Sequence, residues 1–227
     1  MECRDVPAGW FWMGWHRGLP SEAPRHRVWI DAFEIGKTPV TNAEFDRFVK
    51  ATGSVPPAFR TDPRFSHPEQ PVVGVSWHDA VRYCQRLSEI NALEYRLPTE
   101  AEWERAARGG LPDCAYPWGD DPPATLFQSL KLPLDGPPIV GSGPVNGYGL
   151  TDGSGSVHEW CLDWYDENYY AGSPDRNPRG PSSGTRRASR GGAWRHQIPW
   201  SSVAHRSSLP PHLRYSDYGF RVVCSHL

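Results

Sequence analysis

The 227 residues carry 24 Lys and Arg against 26 Asp and Glu, a formal net charge of −2. So small a net charge sets up no field to draw in nucleic acid or an anionic membrane. Only three of the basic residues are Lys (Lys37, Lys50, Lys131), and apart from Arg186-Arg187 the Arg residues are scattered, which argues against an electrostatic nucleic-acid footprint. No run approaches the 18 or so apolar residues of a membrane span. A chain of this length buries roughly 70% of its unfolded surface. Its 11 Trp, 22 Gly and 24 Pro exclude a regular helix bundle or a clean parallel sheet. Gly and Pro at that level impose turns and shaped loops, and tryptophans supply rigid area to pack beneath them. The expectation is an irregular, loop-rich α+β fold forming a single domain over residues 1–227. The five cysteines form no CxxC pair, which disfavours a zinc knuckle. Their odd number and the lack of a recognisable leader point to a cytoplasmic protein.

In chain order, Val6 to Gly14 and Arg27 to Gly36 read as short strands rich in aromatic and β-branched residues. Three helix starts follow. Thr41-Asn-Ala-Glu44 is a capping box opening a helix with Phe45, Phe48 and Val49 on one face and Gly53 as its stop. Ser76-Trp-His-Asp79 caps a second helix with Trp77, Val81, Cys84 and Leu87 at helical spacing, Asp replacing the usual Glu. Thr99-Glu-Ala-Glu102 caps a short third helix bearing Trp103, Ala106 and Ala107, ended by Gly109-Gly110. From Gly110 to about Arg187 no period is sustained, an unusual length for a compact domain unless metal ions and buried aromatics fix the loops. Ala188 to Trp194 and Tyr218 to Cys224 read as the last strands.

Within the aperiodic stretch, Gly149 to Trp164 places Asp152 and Glu159 around a glycine-rich turn. Gly tolerates backbone angles that turn carbonyls inward, and two carboxylates with inward carbonyls are what calcium coordinates. The alternative is a tight Asx turn followed by a buried Glu that hydrogen-bonds backbone.

Several segments in order resemble the sulfatase-modifying-factor family, that of the formylglycine-generating enzyme. They include Pro39-Val-Thr-Asn-Ala-Glu-Phe45, Pro71-Val-Val-Gly-Val-Ser-Trp77 and Arg96-Leu-Pro-Thr-Glu-Ala-Glu-Trp-Glu-Arg-Ala-Ala107. Tyr116-Pro-Trp-Gly-Asp120, Asn146-Gly-Tyr-Gly-Leu150, Gly155 to Trp160, Arg190-Gly-Gly192 and Gly219-Phe-Arg221 continue the match. The resemblance implies a C-type-lectin-like fold. It also implies a calcium site built from the side chains of Asp152 and Glu159 and the carbonyls of Gly155 and Val157. A second site would fall near Thr125, Leu126, Asp135 and Pro137, where Thr125 replaces a ligand Asn.

The family's oxidase converts a cysteine of a target sulfatase to formylglycine, and resembles a copper enzyme in which two thiolates after the Arg-Gly-Gly turn hold Cu(I). Soft thiolates select that soft ion. Here Arg190 to Arg206 contains no cysteine. Ungapped counting puts Ala193 at the family's active-site serine and His196 and Ser201 at its two thiols, so copper and the formylglycine reaction are not expected. The expectation is instead a calcium-stabilised protein that binds a protein, peptide or small-molecule ligand through Trp194, Arg195, His196, Gln197, Trp200, His205, Arg206, Tyr215 and Asp217, since Trp, Tyr and Arg dominate binding hot spots. Neither nucleic acid nor a membrane is expected as a partner. One alternative is an oxidoreductase of the same family, sulfatase-modifying or sulfoxide-synthase-like. It would use a metal on histidines such as His158, His196 or His205, or a partner domain. Another is a variable protein of a diversity-generating retroelement, which would display its changes on this same C-terminal stretch.

Overall fold

The computed structural model describes residues 1–91, 93–121, 135–196 and 201–225. The three helices begin where side chains can answer the free N–H groups of a first turn. Helix α1 (Asn42–Thr52) has the complete capping box of Thr41 and Glu44 and ends at Gly53, whose φ of 68° is left-handed. Helix α2 (Trp77–Asn91) starts behind Ser76. The Ser76 amide donates to Asp79 Oδ2 at 2.9 Å, and the Asp79 amide donates to Ser76 Oγ at 3.2 Å, so the shorter carboxylate does close the box. Helix α3 (Glu100–Arg108) is capped by Thr99 and Glu102 and stopped by Gly109 at φ 58°.

Strands β1 (Cys3–Val6), β4 (Phe33–Gly36), β10 (Val223–Ser225) and β5 (Glu94–Arg96) lie in the order β1-β4-β10-β5. All three pairings are antiparallel. This sheet therefore joins residues near the two ends of the chain. β2 (Gly9–Met13) and β3 (His26–Ile30) form an antiparallel ribbon. A third sheet runs β8 (Arg206–Leu209), β7 (Arg187–Arg190), β6 (His158–Trp164), β9 (Tyr218–Gly219), with β6 and β9 parallel. Mixed helix and sheet with long loops is the irregular α+β architecture expected from the composition.

Several strand expectations need correction. Val6 to Gly14 is broken by Pro7, whose missing N–H cannot join a ladder, so its halves serve β1 and β2 in different sheets. Arg27 to Gly36 divides at Asp31-Ala32 into β3 and β4. Ala188 to Trp194 stops at Gly191 and Gly192, both with positive φ. Tyr218 to Cys224 is shared between β9 and β10. The stretch read as aperiodic contains β6, whose buried pattern is continuous rather than alternating because both faces are covered.

The fold has two larger cores. One gathers Phe45, Phe48, Tyr83, Trp160 and Phe220 beneath α1 and α2, with Phe45 stacked on Tyr83 at 5.7 Å. The other gathers Val6, Val28, Ile30, Ile35 and Val223 with Ala101 and Ala106 of α3. Helix α3 also buries charge. Glu100 accepts from Arg190 Nη1 at 2.9 Å and Arg206 Nε at 2.7 Å. Glu104 accepts from Arg108 Nη2 at 2.7 Å, the Gly14 amide at 2.8 Å, and Arg190. Glu100 and Glu104 of the Thr-Glu-Ala-Glu-Trp-Glu motif thus anchor the third sheet to α3. Among the described residues no helix is long and apolar enough to cross a membrane.

Candidate functional site

The glycine-rich turn expected to hold calcium is where the sequence places it, and its two carboxylates accept hydrogen bonds from the protein. Asp152 sits at φ 61°, a conformation Asp reaches more easily than most residues. Its Oδ2 accepts from the Gly141 amide at 2.6 Å and the Thr151 hydroxyl at 2.9 Å, and its Oδ1 from the Gly143 amide at 3.1 Å. Glu159, fully buried, accepts from Arg221 Nε at 2.5 Å, Arg221 Nη2 at 2.7 Å and Trp103 Nε1 at 2.7 Å. Calcium needs oxygen lone pairs free to converge on it. Here three bonds take up three of the roughly four lone-pair sites of Glu159, so an ion at this turn would share that carboxylate with the Arg221 guanidinium. The Gly155 amide donates to Gly191 O at 2.9 Å, which pins the turn to the Arg-Gly-Gly segment. Val157 is buried against Phe65 and Val73, with Trp194 packed on the same cluster. Of the second expected calcium site, Thr125 and Leu126 lie outside the described residues. Asp135 is exposed, with Arg64 at 3.8 Å, and the Pro137 carbonyl accepts from Gln70 at 2.8 Å.

The C-terminal segment divides into residues that face outward and residues used internally. Tyr215 is 44% exposed, and the Arg195 side chain is 46% exposed while donating from Nε to Asp217 Oδ2 at 2.7 Å. Trp194 is half-buried against Phe65, its indole N–H toward Ser216 O at 3.5 Å. His205 is buried with its Nδ1 3.3 Å from Glu22 Oε1. Arg206 is also buried, bonded through Nε and Nη2 to Glu100 and through Nη1 to Ser21 O. These two therefore leave the expected binding surface, since a side chain buried against its own internal partners is out of a ligand's reach. Gln197 and Trp200 lie outside the described residues.

Behind the exposed rim, the fold brings together His158, His196 and Asp217, whose ligand atoms all lie within 4.8 Å of one another. His158 is the first residue of β6, and its amide donates to Asp217 O at 2.8 Å. Its ring stacks on Tyr218 and meets the His196 ring edge-on, both at 4.8 Å. His196 is fixed by a turn in which its amide donates to Ala193 O at 2.8 Å, and its Nε2 lies 3.6 Å from Asp217 Oδ2. Burial, with His196, His205 and Arg195 nearby, holds the His158 pKa well below the usual imidazole value. Burial also lowers that of His196, against the opposing pull of Asp217. At neutral pH both rings therefore keep a free lone pair. His158 Nδ1 and Asp217 Oδ1 are buried with no hydrogen-bond partner among the described residues. The sequence signalled His158 only by its place beside Glu159; its juxtaposition with Asp217 had no local trace.

None of the five cysteines joins this group. Cys161 is buried with Trp103, Ala107, Ala188 and Val203, and burial pushes its thiol well up. Cys84 lies in the α1–α2 core, and Cys114 is buried near Arg108. Cys224 and Cys3 face one another at 3.4 Å on the first sheet, beside Glu34.

Comparison with known proteins agrees with this architecture. Residues 4–226 match the model of the Sulfatase-modifying factor enzyme 1-like domain. The formylglycine-generating enzyme of Streptomyces coelicolor is 35% identical over 280 residues, covering 95% of this chain and 87% of that protein. The structure of PvdO from Pseudomonas aeruginosa superposes with a TM-score of 0.85 at 28% identity, over 99% of this chain and 94% of PvdO. Treponema denticola variable protein 1 does so with a TM-score of 0.83 at 27% identity, over 98% of this chain and 94% of the other.

Proposed function

We propose that this chain, which belongs to the sulfatase-modifying-factor family, binds a peptide or small ligand at its C-terminal surface and does not generate formylglycine. The observation that carries the reading is the placement of the cysteines. Where the family resemblance reserves two copper thiols, this chain has His196 and Ser201. Its one close cysteine pair, Cys3 and Cys224, lies on another sheet against a carboxylate. Burial pushes both of those thiols up, away from the thiolate form that Cu(I) requires.

Binding would use Arg195 and Tyr215, with half-buried Trp194 and His196 behind them. An aromatic ring and a guanidinium on short, well-anchored loops give large contact area at low entropic cost.

Incubating the protein with a cysteine-containing sulfatase peptide, Cu(I) and oxygen should leave the peptide mass unchanged; formylglycine formation would overturn the first half of the proposal. A peptide-array screen should return binders that weaken on Arg195→Ala and Tyr215→Ala. Undiminished binding by both variants would overturn the second half. The likeness to Treponema denticola variable protein 1 favours a second reading, a display protein diversified on this same surface. A reverse-transcriptase gene and a template repeat beside the coding sequence would establish it.

A further inference from the structure

We infer that His158, His196 and Asp217 form a site for a divalent transition-metal ion of the zinc type, with coordination positions left open. The inference stands apart from the ligand-binding reading above, since the three side chains would hold the ion whether or not the rim engages a partner.

Three observations carry it. The donors come from three separate segments: the start of β6, the turn after Gly191-Gly192, and the residue before β9. Backbone bonds from His158 to Asp217 and from His196 to Ala193 hold them in place. Their ligand atoms lie within 4.8 Å of one another, and the His196–Asp217 pair is already at 3.6 Å. Ligands 2.0–2.1 Å from a tetrahedral zinc stand roughly 3.3 Å apart, so the set needs to close by no more than about 1.5 Å.

The second observation is the pair of unanswered atoms. His158 Nδ1 and Asp217 Oδ1 are buried and bonded to nothing among the described residues, an arrangement that is costly unless some other group completes it. The third is the chemistry of the set. Two neutral imidazoles and a carboxylate suit zinc, iron(II) or cobalt(II). They are a poor match for calcium, which takes oxygen ligands, and they lack the thiolates that select Cu(I). Arg195 holds Asp217 through a single bond to Oδ2 and is half-exposed, so the guanidinium can turn to solvent and leave the carboxylate to the ion. Three protein ligands leave at least one position for water or a ligand group.

Cobalt(II) is the probe. Added to the metal-free protein, it should give visible d–d bands of a low-coordinate site at one ion per chain, reversed by Zn2+. The bands should vanish in His196→Ala and in Asp217→Asn, and persist in Cys3→Ser/Cys224→Ser. His158→Ala removes a buried ring stacked on Tyr218 and is avoided for that reason. His196 is half-buried and Asn is isosteric with Asp, and far-UV circular dichroism verifies that both variants fold. Absence of the bands, their survival in both site variants, or their loss in the cysteine variant would each overturn the assignment. None of these results bears on whether Arg195→Ala weakens peptide binding, so the two proposals fail separately.

Discussion

Glu159 and Arg221 grip each other through two bonds, Nε to Oε2 at 2.5 Å and Nη2 to Oε1 at 2.7 Å, with both side chains removed from water. Arg221 also donates to the carbonyls of Gly36 and Thr151, each at 3.1 Å. One guanidinium thereby joins β6, the end of β4 and the glycine-rich turn. Taking one charge out of such a pair leaves the other desolvated and unmatched.

Arg221→Ala should destabilise the protein by about 3–5 kcal/mol, the usual cost of orphaning a buried charge. Glu159→Gln should cost a similar amount, and Glu159→Gln/Arg221→Ala should cost clearly less than the two single changes added together. Urea denaturation of the three variants measures this. Strict additivity would show that the pair is not energetically coupled.

A calcium ion held by Asp152 and Glu159 should stabilise the fold. A ligand that binds only the folded state raises the melting temperature by mass action, so a higher melting temperature in millimolar Ca2+ than in EDTA, lost in Asp152→Ala, is expected. Equal melting temperatures would show that the N–H and O–H donors now on these carboxylates exclude the ion.

Asp163 should make stability fall with rising pH. It is buried on β6, accepts the Glu100 amide at 2.9 Å, and has its carboxyl pushed up to about 8 by burial and by the nearby Glu100 charge. An unfolded Asp titrates near 3.9. Between about pH 4 and 8 the folded state therefore holds a proton that the unfolded chain has released, and stability declines across that window before levelling above it. Asp163→Asn keeps the acceptor and removes the titration. Its urea midpoint should be flatter over the same range and higher than wild type at pH 8.5; parallel profiles would refute the shift.

Thr99→Ala removes the hydroxyl that accepts the Glu102 amide at 3.1 Å. A lost cap of this kind costs about 1 kcal/mol. The urea midpoint should drop with an unchanged slope, and a silent variant would show that Glu102 alone secures the helix start.

The three helix starts and the glycine stops of the first and third were readable because capping is local: Thr41 meets Glu44, and Thr99 meets Glu102, within one turn. The loop-rich character followed from Gly, Pro and Trp for the same reason, since each acts on its own neighbourhood. β6 was not readable. Its residues His158 to Trp164 are covered on both faces, which erases the alternation that marks a half-exposed strand. Nor did Tyr218 to Cys224 signal that it would serve two sheets, because that division depends on which strands arrive beside it.

Sequence by itself determined where the helices start, the absence of cysteine after Arg190-Gly-Gly192, and the family to which these motifs belong. Tertiary structure alone decided what the charged residues do. It gave Glu159 to Arg221, enclosed Arg206 on Glu100, and set His158 beside His196 and Asp217. The physical reason is range. A cap or a turn is settled by atoms a few residues apart, whereas a buried carboxylate takes whichever cation the folded chain brings to it, and nothing near Glu159 in the sequence announces an arginine 62 positions away.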